Sequence, residues 1–171
     1  RLRVLKELKL TSAEAAASPL HNYEDLQHAG SFALLNGDSE GAIGYLERAA
    51  ATWPAPGSAR GNVHLYLMLA YAAEDDSKMM FPALDRLKLM HPDWRYPEIY
   101  LPDIDEIAAT FKDKALVIVV RAKVQQMTNN YAGAYADLIR AQRIGLPDPY
   151  SRLIVAMWLK TIEVQKQRSE Q

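Results

Sequence analysis

Residues 23–56, YEDLQHAGSFALLNGDSEGAIGYLERAAATWPAP, decide the fold of this chain. Apolar residues recur with helical spacing on both sides of Asn36-Gly37-Asp38, which separates two stretches. Gly37 suits the left-handed conformation that ends many helices, and Asp38 can accept hydrogen bonds from the free amides of the next helix. Pro54 cannot continue that helix, because proline lacks an amide donor and clashes with the preceding turn. The segment therefore predicts a helical hairpin.

Small residues stand in this hairpin where its two helices would cross. Gly30 lies in the first helical stretch, and Ala42 and Ala49 lie in the second. Helices that approach to about 8–10 Å need small side chains at the contact and larger ones beside it. Phe32 and Leu46 are the larger neighbours. We therefore expect the two helices to cross closely.

This pattern resembles the tetratricopeptide repeat, a unit of about 34 residues built from two antiparallel helices. Gly30, Ala42 and Ala49 match the small positions of that family, and Pro54 matches its terminal proline. The resemblance implies an all-α fold, a right-handed superhelical array of about three hairpins that presents a surface to other proteins.

The resemblance extends to two further units, 61–92 and 115–148. The positions that are small in the family are held by Met68, Met80 and Leu87 in the first of these, and by Ala122, Ala134 and Ala141 in the second. The first is therefore a degenerate repeat, in which a close crossing is not expected, and methionine is well suited to fill the irregular gaps.

We expect one helical-repeat domain over residues 1–171. Its parts are a leading helix at 1–17, repeat 1 at 23–56, repeat 2 at 61–92, an insertion at 93–114, repeat 3 at 115–148 and a capping helix at 150–168. The capping helix is expected to be amphipathic, with one apolar side made by Leu153, Ile154, Met157, Trp158 and Ile162.

The insertion carries aromatic residues at Trp94, Tyr96 and Tyr100. Two interpretations stay open: these residues form a recognition edge for a partner, or they plug the gap where the array is interrupted. After them, Asp103 and Glu106 have the spacing of a capping box and predict that a helix starts at Asp103.

The resemblance also implies that the first helix of each hairpin lines an inner groove that binds a partner. The side chains placed there are Gln27, Ser31, Leu34 and Leu35 in repeat 1, Asn62, Leu65 and Leu69 in repeat 2, and Lys123 and Met127 in repeat 3. This mostly apolar groove suits an amphipathic helix or an extended peptide with apolar anchors. The alternative is that the chain's own leading helix or insertion fills it.

The composition of the chain limits the classes of partner that it can bind. Hydrophobic residues make up 49% of the chain, and the formal net charge is −1. This charge argues against nucleic acid as the main partner, because phosphate binding needs a basic surplus. The longest apolar run, 115–120, is too short to span a membrane and predicts a soluble chain. The compartment stays open between the cytoplasm and, if a signal was removed, the periplasm.

Catalytic and metal-binding signals are missing from the sequence. The histidines at 21, 28, 64 and 91 show no metal-ligand spacing, and there is no phosphate-binding loop or nucleophile elbow. We therefore expect no catalytic residues, no metal and no cofactor.

The sequence favours a non-enzymatic adaptor or chaperone-like module that binds another protein. The alternative is a structural module of a larger envelope or secretion protein that associates with itself through exposed repeat ends.

Overall fold

The computed structural model describes residues 22–52, 63–90 and 97–171, and all regular structure in these ranges is helical. The residues group into two compact units, divided between Asp93 and Trp94, which lies inside the predicted insertion. The prediction of an all-helical fold is confirmed for the described ranges.

Some of the predicted features lie outside the described residues. They are the leading helix at 1–17, the terminal Pro54 of repeat 1, Asn62 of the groove, and Trp94 and Tyr96 of the insertion.

The first unit contains two consecutive helix pairs. Its helices are α1 (Tyr23–Leu35), α2 (Ser39–Ala51), α3 (Val63–Ala73) and α4 (Ser77–Met90). Each helix packs on the next one along the chain, and α1 also contacts α3. Two side-chain hydrogen bonds join the pairs: the Tyr71 hydroxyl donates to Glu47 at 2.7 Å, and the Ser39 hydroxyl donates to Glu74.

The second unit begins with a short 3-10 helix at Pro97–Tyr100. It continues with α5 (Leu101–Thr110), α6 (Ala115–Met127), α7 (Tyr131–Ile144) and α8 (Pro149–Ser169). Here too each helix packs on the next. The apolar run 115–120 is a fully buried part of α6.

One helix start differs from the sequence prediction, and another carries a cap that was not predicted. The helix expected to start at Asp103 begins at Leu101, because Pro102 needs no amide partner in the first turn of a helix, and no side-chain cap is present. The start of α8 carries a capping box that the sequence analysis missed, in which Asp148 accepts the amide of Ser151 at 2.7 Å.

The turns after α1, α3 and α6 share one geometry. Each has three residues, and the second adopts a left-handed backbone: Gly37 (φ 81°), Asp75 (φ 57°) and Asn129 (φ 61°). The amides of the second and third residues donate back to carbonyls of the preceding helix. These bonds satisfy carbonyls that the end of the helix would otherwise leave without partners.

The third residue of each of these turns caps the helix that follows. Asp38, Asp76 and Asn130 accept the amides of Gly41, Met79 and Gly133 at 2.8, 3.1 and 3.0 Å. The left-handed residue and the cap together reverse the chain within three residues, so the flanking helices form a hairpin. The turn predicted from Gly37 and Asp38 is confirmed, and its geometry recurs twice without glycine.

Helices α1 and α2 meet where Gly30 faces Leu46. A Cβ atom at Gly30 would overlap Cγ of Leu46 and lie 2.7 Å from its Cδ2. Leu46 is fully buried, as are Ala42 and Ala49 on the same helix. The prediction that small residues stand at this contact is confirmed.

The other two hairpins fill the same positions differently. In the α6–α7 pair, Ala122, Ala134 and Ala141 are fully buried. In the α3–α4 pair, Met68 and Met80 are buried where the first hairpin has Gly30 and Ala42. The flexible thioether chain of methionine is suited to irregular interior positions of this kind.

We expect Gly30→Ala to lower the free energy of unfolding by about 1–3 kcal/mol, because the new methyl group overpacks against the buried Leu46. The matched control is Gly44→Ala on α2, where an added Cβ meets no atom within 4 Å. The control should raise stability by about 0.4–1 kcal/mol, since alanine favours the helix. Urea unfolding measures both, and equal stabilisation by the two changes would contradict the close contact.

Candidate protein-binding surface

The groove side chains predicted in the first unit are interior. Gln27, Ser31, Leu34, Leu65 and Leu69 are no more than 4% exposed, whereas Leu35 has intermediate exposure. The Ser31 hydroxyl donates to the backbone carbonyl of Gln27 at 2.9 Å, within its own helix. The expectation that this set lines an open groove is therefore corrected for the five buried positions.

The sequence of α3 gives the physical reason. Its residues, VHLYLMLAYAA, are apolar on every side of the helix, and all of them are buried. A helix without a polar face belongs in the interior of a protein. Leu65 and Leu69 are therefore interior, although the family pattern assigns these positions to the groove.

The groove residues predicted in the second unit lie close to α8. The Lys123 ammonium lies 4.9 Å from the centroid of the Trp158 ring, a cation–π distance, and 2.9 Å from the Gln126 side-chain oxygen. Gln126 in turn donates to Gln165 of α8 at 2.8 Å. Lys123 thus takes part in the contact between α6 and α8, and it keeps an intermediate exposure. Met127 is partly exposed.

Tyr100 is the described residue of the predicted aromatic edge. It ends the 3-10 helix and has intermediate exposure. Burial raises the pKa of its phenol, and the negative charge of Asp103 raises that pKa further. The phenol is therefore neutral at neutral pH.

A charged contact among the described residues of the second unit joins three helices. Arg121 of α6 donates to both carboxylate oxygens of Asp137 on α7, at 2.8 and 2.6 Å, and to Asp105 of α5 at 3.3 Å. Asp137 is buried, whereas Asp105 is exposed. The hydrogen bonds that Arg121 donates to Asp137 raise the pKa of Arg121 above its ordinary value. Because both oxygens of the Asp137 carboxylate accept hydrogen bonds from Arg121, the burial of Asp137 is explained by packing between the helices.

Two further surveys apply to the described ranges. No group of three His, Asp or Glu side chains in these ranges is arranged to hold a metal ion. Within the same residues, no helix combines the length and apolarity required to cross a membrane.

Helix α8 carries apolar side chains on two opposite sides. On the packed side, Ser151, Val155 and Ile162 are at most 1% exposed. The opposite side carries four large side chains, Tyr150, Leu153, Met157 and Val164, which are 44%, 62%, 59% and 47% exposed. Spacings of three, four and seven residues keep these four on one line along the helix. We call this line the outer stripe.

The outer stripe corrects the predicted face of the capping helix. Leu153 and Met157 were expected on the same side as Ile162, but Ile162 is buried and the other two are exposed. Residues 153–159 read LIVAMWL, and an uninterrupted apolar run does not reveal which side of a helix is packed. Ile154 and Trp158 lie between the two sides, with intermediate exposure.

Because Leu69 is buried and Leu153 is exposed, we expect the same substitution to affect the stability of the protein very differently at the two positions. Leu69→Asp should cost more than about 4 kcal/mol of stability, because it buries a carboxylate without a partner. Leu153→Asp, the matched control, should change stability by no more than about 0.5 kcal/mol, since that side chain is exposed. Circular dichroism during urea unfolding reports both, and a fully stable Leu69→Asp variant would show that this position is not interior.

The two carboxylates that accept hydrogen bonds from Arg121 should also differ in their contribution to stability. Asp137→Ala should lower the free energy of unfolding by about 3 kcal/mol, because Arg121 would lose its buried bidentate partner. Asp105→Ala should cost less than about 1 kcal/mol, as is usual for an exposed ion pair. Similar losses in urea unfolding for the two variants would contradict the unequal roles of the two carboxylates.

No protein-family model, curated protein or solved structure matches this chain. What the protein does is therefore inferred from its own residues, and the outer stripe of α8 is the surface that needs an explanation.

Proposed function

We propose that this protein is a non-enzymatic protein-interaction module, an adaptor or chaperone-like unit built from tetratricopeptide-like hairpins. It binds a helical segment of a protein through the outer stripe of α8. The observation that carries the proposal is the exposure of four large apolar side chains on the side of α8 opposite its packed side.

The repeat part of the proposal is supported by local structure. Three hairpins share a turn with a left-handed second residue and a capping third residue. Small residues are buried at matching positions of the first and third hairpins, for example Ala42 and Ala134. Repeated hairpins of this kind stack into an array whose terminal helix needs a polar outer side for solubility. Helix α8 lacks that polar side along the outer stripe.

A helix is the partner shape that fits the outer stripe best. Apolar residues at spacings of three and four form a ridge, and a second helix can pack its own ridge beside it. Complete burial of a Leu or Met side chain contributes about 1.5–3 kcal/mol, so half-exposed residues have roughly 1 kcal/mol each still to gain. After the cost of association, such a stripe supports a moderate and reversible affinity.

Site-specific photo-crosslinking in the native cell tests the proposal. A benzophenone amino acid at position 153 should form discrete protein adducts, and the same amino acid at the exposed Lys112 should not. Adding Met157→Asp should reduce the adducts at least tenfold, because it places a charge in the apolar contact. Adducts that are equal at the two positions, or unaffected by Met157→Asp, would contradict a docking role for the outer stripe.

A further inference from the structure

We infer that the partner helix carries carboxylates beside its apolar ridge, and that these carboxylates pair with Lys160 and Arg168 of α8. This inference rests on the proposed function and names the chemistry of the partner. The observation that carries it is a difference between the cations of α8: those on the side of the outer stripe have no carboxylate partner among the described residues, whereas those elsewhere on the helix contact other groups of the chain.

Two cations lie on the side of α8 that carries the outer stripe. With 3.6 residues in each turn, Lys160 lies about 60° around the helix from Met157, and Arg168 lies about 20° from it. Both side chains are exposed. Glu163, the carboxylate within α8, lies about 120° from Met157 and therefore outside the stripe. The exposed side of the helix thus combines apolar side chains with positive charge alone.

The other two cations of α8 have partners within the chain. Arg152 donates to a backbone carbonyl of the α7–α8 connection at 3.3 Å, and the Lys166 ammonium lies 5.8 Å from the centroid of the Tyr135 ring. Within the part of the chain that the structure describes, no carboxylate lies at ion-pair distance from Lys160 or Arg168. These two cations are therefore available to a carboxylate from outside the described chain.

The dipole of α8 accounts for one of the two cations. Arg168 stands in the last turn, where a positive charge interacts favourably with the negative end of the helix. Lys160 lies nine residues before the end of α8 at Ser169, and the effect of the dipole falls off within the last turn. The dipole therefore does not explain a positive charge beside the middle of the apolar stripe.

The spacing of the two cations defines the partner more closely. Lys160 and Arg168 are about 12 Å apart along the axis of α8, and Val164 lies midway between them on the stripe. A partner helix covers this distance in about two turns, so we expect two carboxylates about seven or eight residues apart with an apolar residue between them. Opposite charges at such a contact select the correct partner, because a like charge would be repelled.

The position of Arg168 favours a protein helix over a lipid surface. The middle of the apolar side of an interfacial helix enters a membrane most deeply, and Arg168 lies only about 20° from Met157 on that side. Insertion would remove the guanidinium from water without giving it a fixed partner, which is costly. A protein helix can place a carboxylate at the same position.

Binding of synthetic helical peptides to the whole chain tests the inference. Three peptides of about six turns share one ridge of leucines at spacings of three and four. They differ at two positions beside the ridge, two turns apart, which are both Glu, both Gln or both Lys. In fluorescence anisotropy, the Glu peptide should bind at least about fivefold more tightly than the Gln peptide, and the Lys peptide should bind most weakly. Equal affinities for the three peptides would overturn the inference.

Charge reversal on α8 provides the matched test. Lys160→Glu combined with Arg168→Glu should weaken binding of the Glu peptide at least about tenfold and make the Lys peptide the tighter ligand. The control combines Lys112→Glu with Arg140→Glu, two exposed positions outside α8 that change the net charge equally. It should keep the order of the peptides and leave each affinity within about twofold of the original. Circular dichroism confirms folding of both variants, and equal effects of the two would overturn the specific pairing.

Photo-crosslinking at position 153 separates this inference from the proposed function. Adducts that the reversal at 160 and 168 removes, and that the control reversal retains, support both proposals. Adducts that depend on Met157 but are unaffected by the reversal overturn the carboxylate inference and leave the proposed function standing. Absence of stripe-dependent adducts overturns both, and binding to phosphatidylserine vesicles that Met157→Asp abolishes would then identify a lipid surface as the partner.

Discussion

The three-residue turn with a left-handed second residue and a capping third residue is the constraint on which three helix pairs depend. Each turn must satisfy the last carbonyls of one helix and the first amides of the next, since unpaired backbone groups would be costly at a packed junction. Gly37 adopts the left-handed conformation without cost, and Asp75 and Asn129 belong to the residue types that tolerate it best. Because the turn fixes where the second helix begins, it also determines which residues of the two helices face each other, including Gly30 and Leu46.

These local features could be predicted from the sequence because they depend on few residues. A glycine followed by aspartate predicts the turn, and the small residues at 30, 42 and 49 predict the contact beyond it. The recurrence of the turn was harder to read, since Asp75 and Asn129 replace glycine. The capping box at Asp148 has a serine in place of the usual glutamate or glutamine, and it was missed for that reason.

Exposure could not be predicted in the same way, because burial depends on everything that surrounds a helix. Helix α3 is apolar on every side, so nothing in its own sequence separates a groove side from a packed side. The pattern of a repeat family assigns Leu65 and Leu69 to an open groove, yet both are interior. Lys123 shows the opposite difficulty: a charged residue suggests an open surface, but its ammonium lies over the Trp158 ring.

The run LIVAMWL at 153–159 joins the stability of the second unit to its surface chemistry. Seven consecutive apolar residues pass almost twice around a helix, so they cannot all point towards one neighbour. Val155 takes the packed side, and Leu153 and Met157 are left on the outside. A helix that served only as a cap would need charged residues at those two positions, and a single substitution at either would supply one at little cost to stability. The apolar residues left on the outer side are the observation on which we base the proposal of a helical partner for α8.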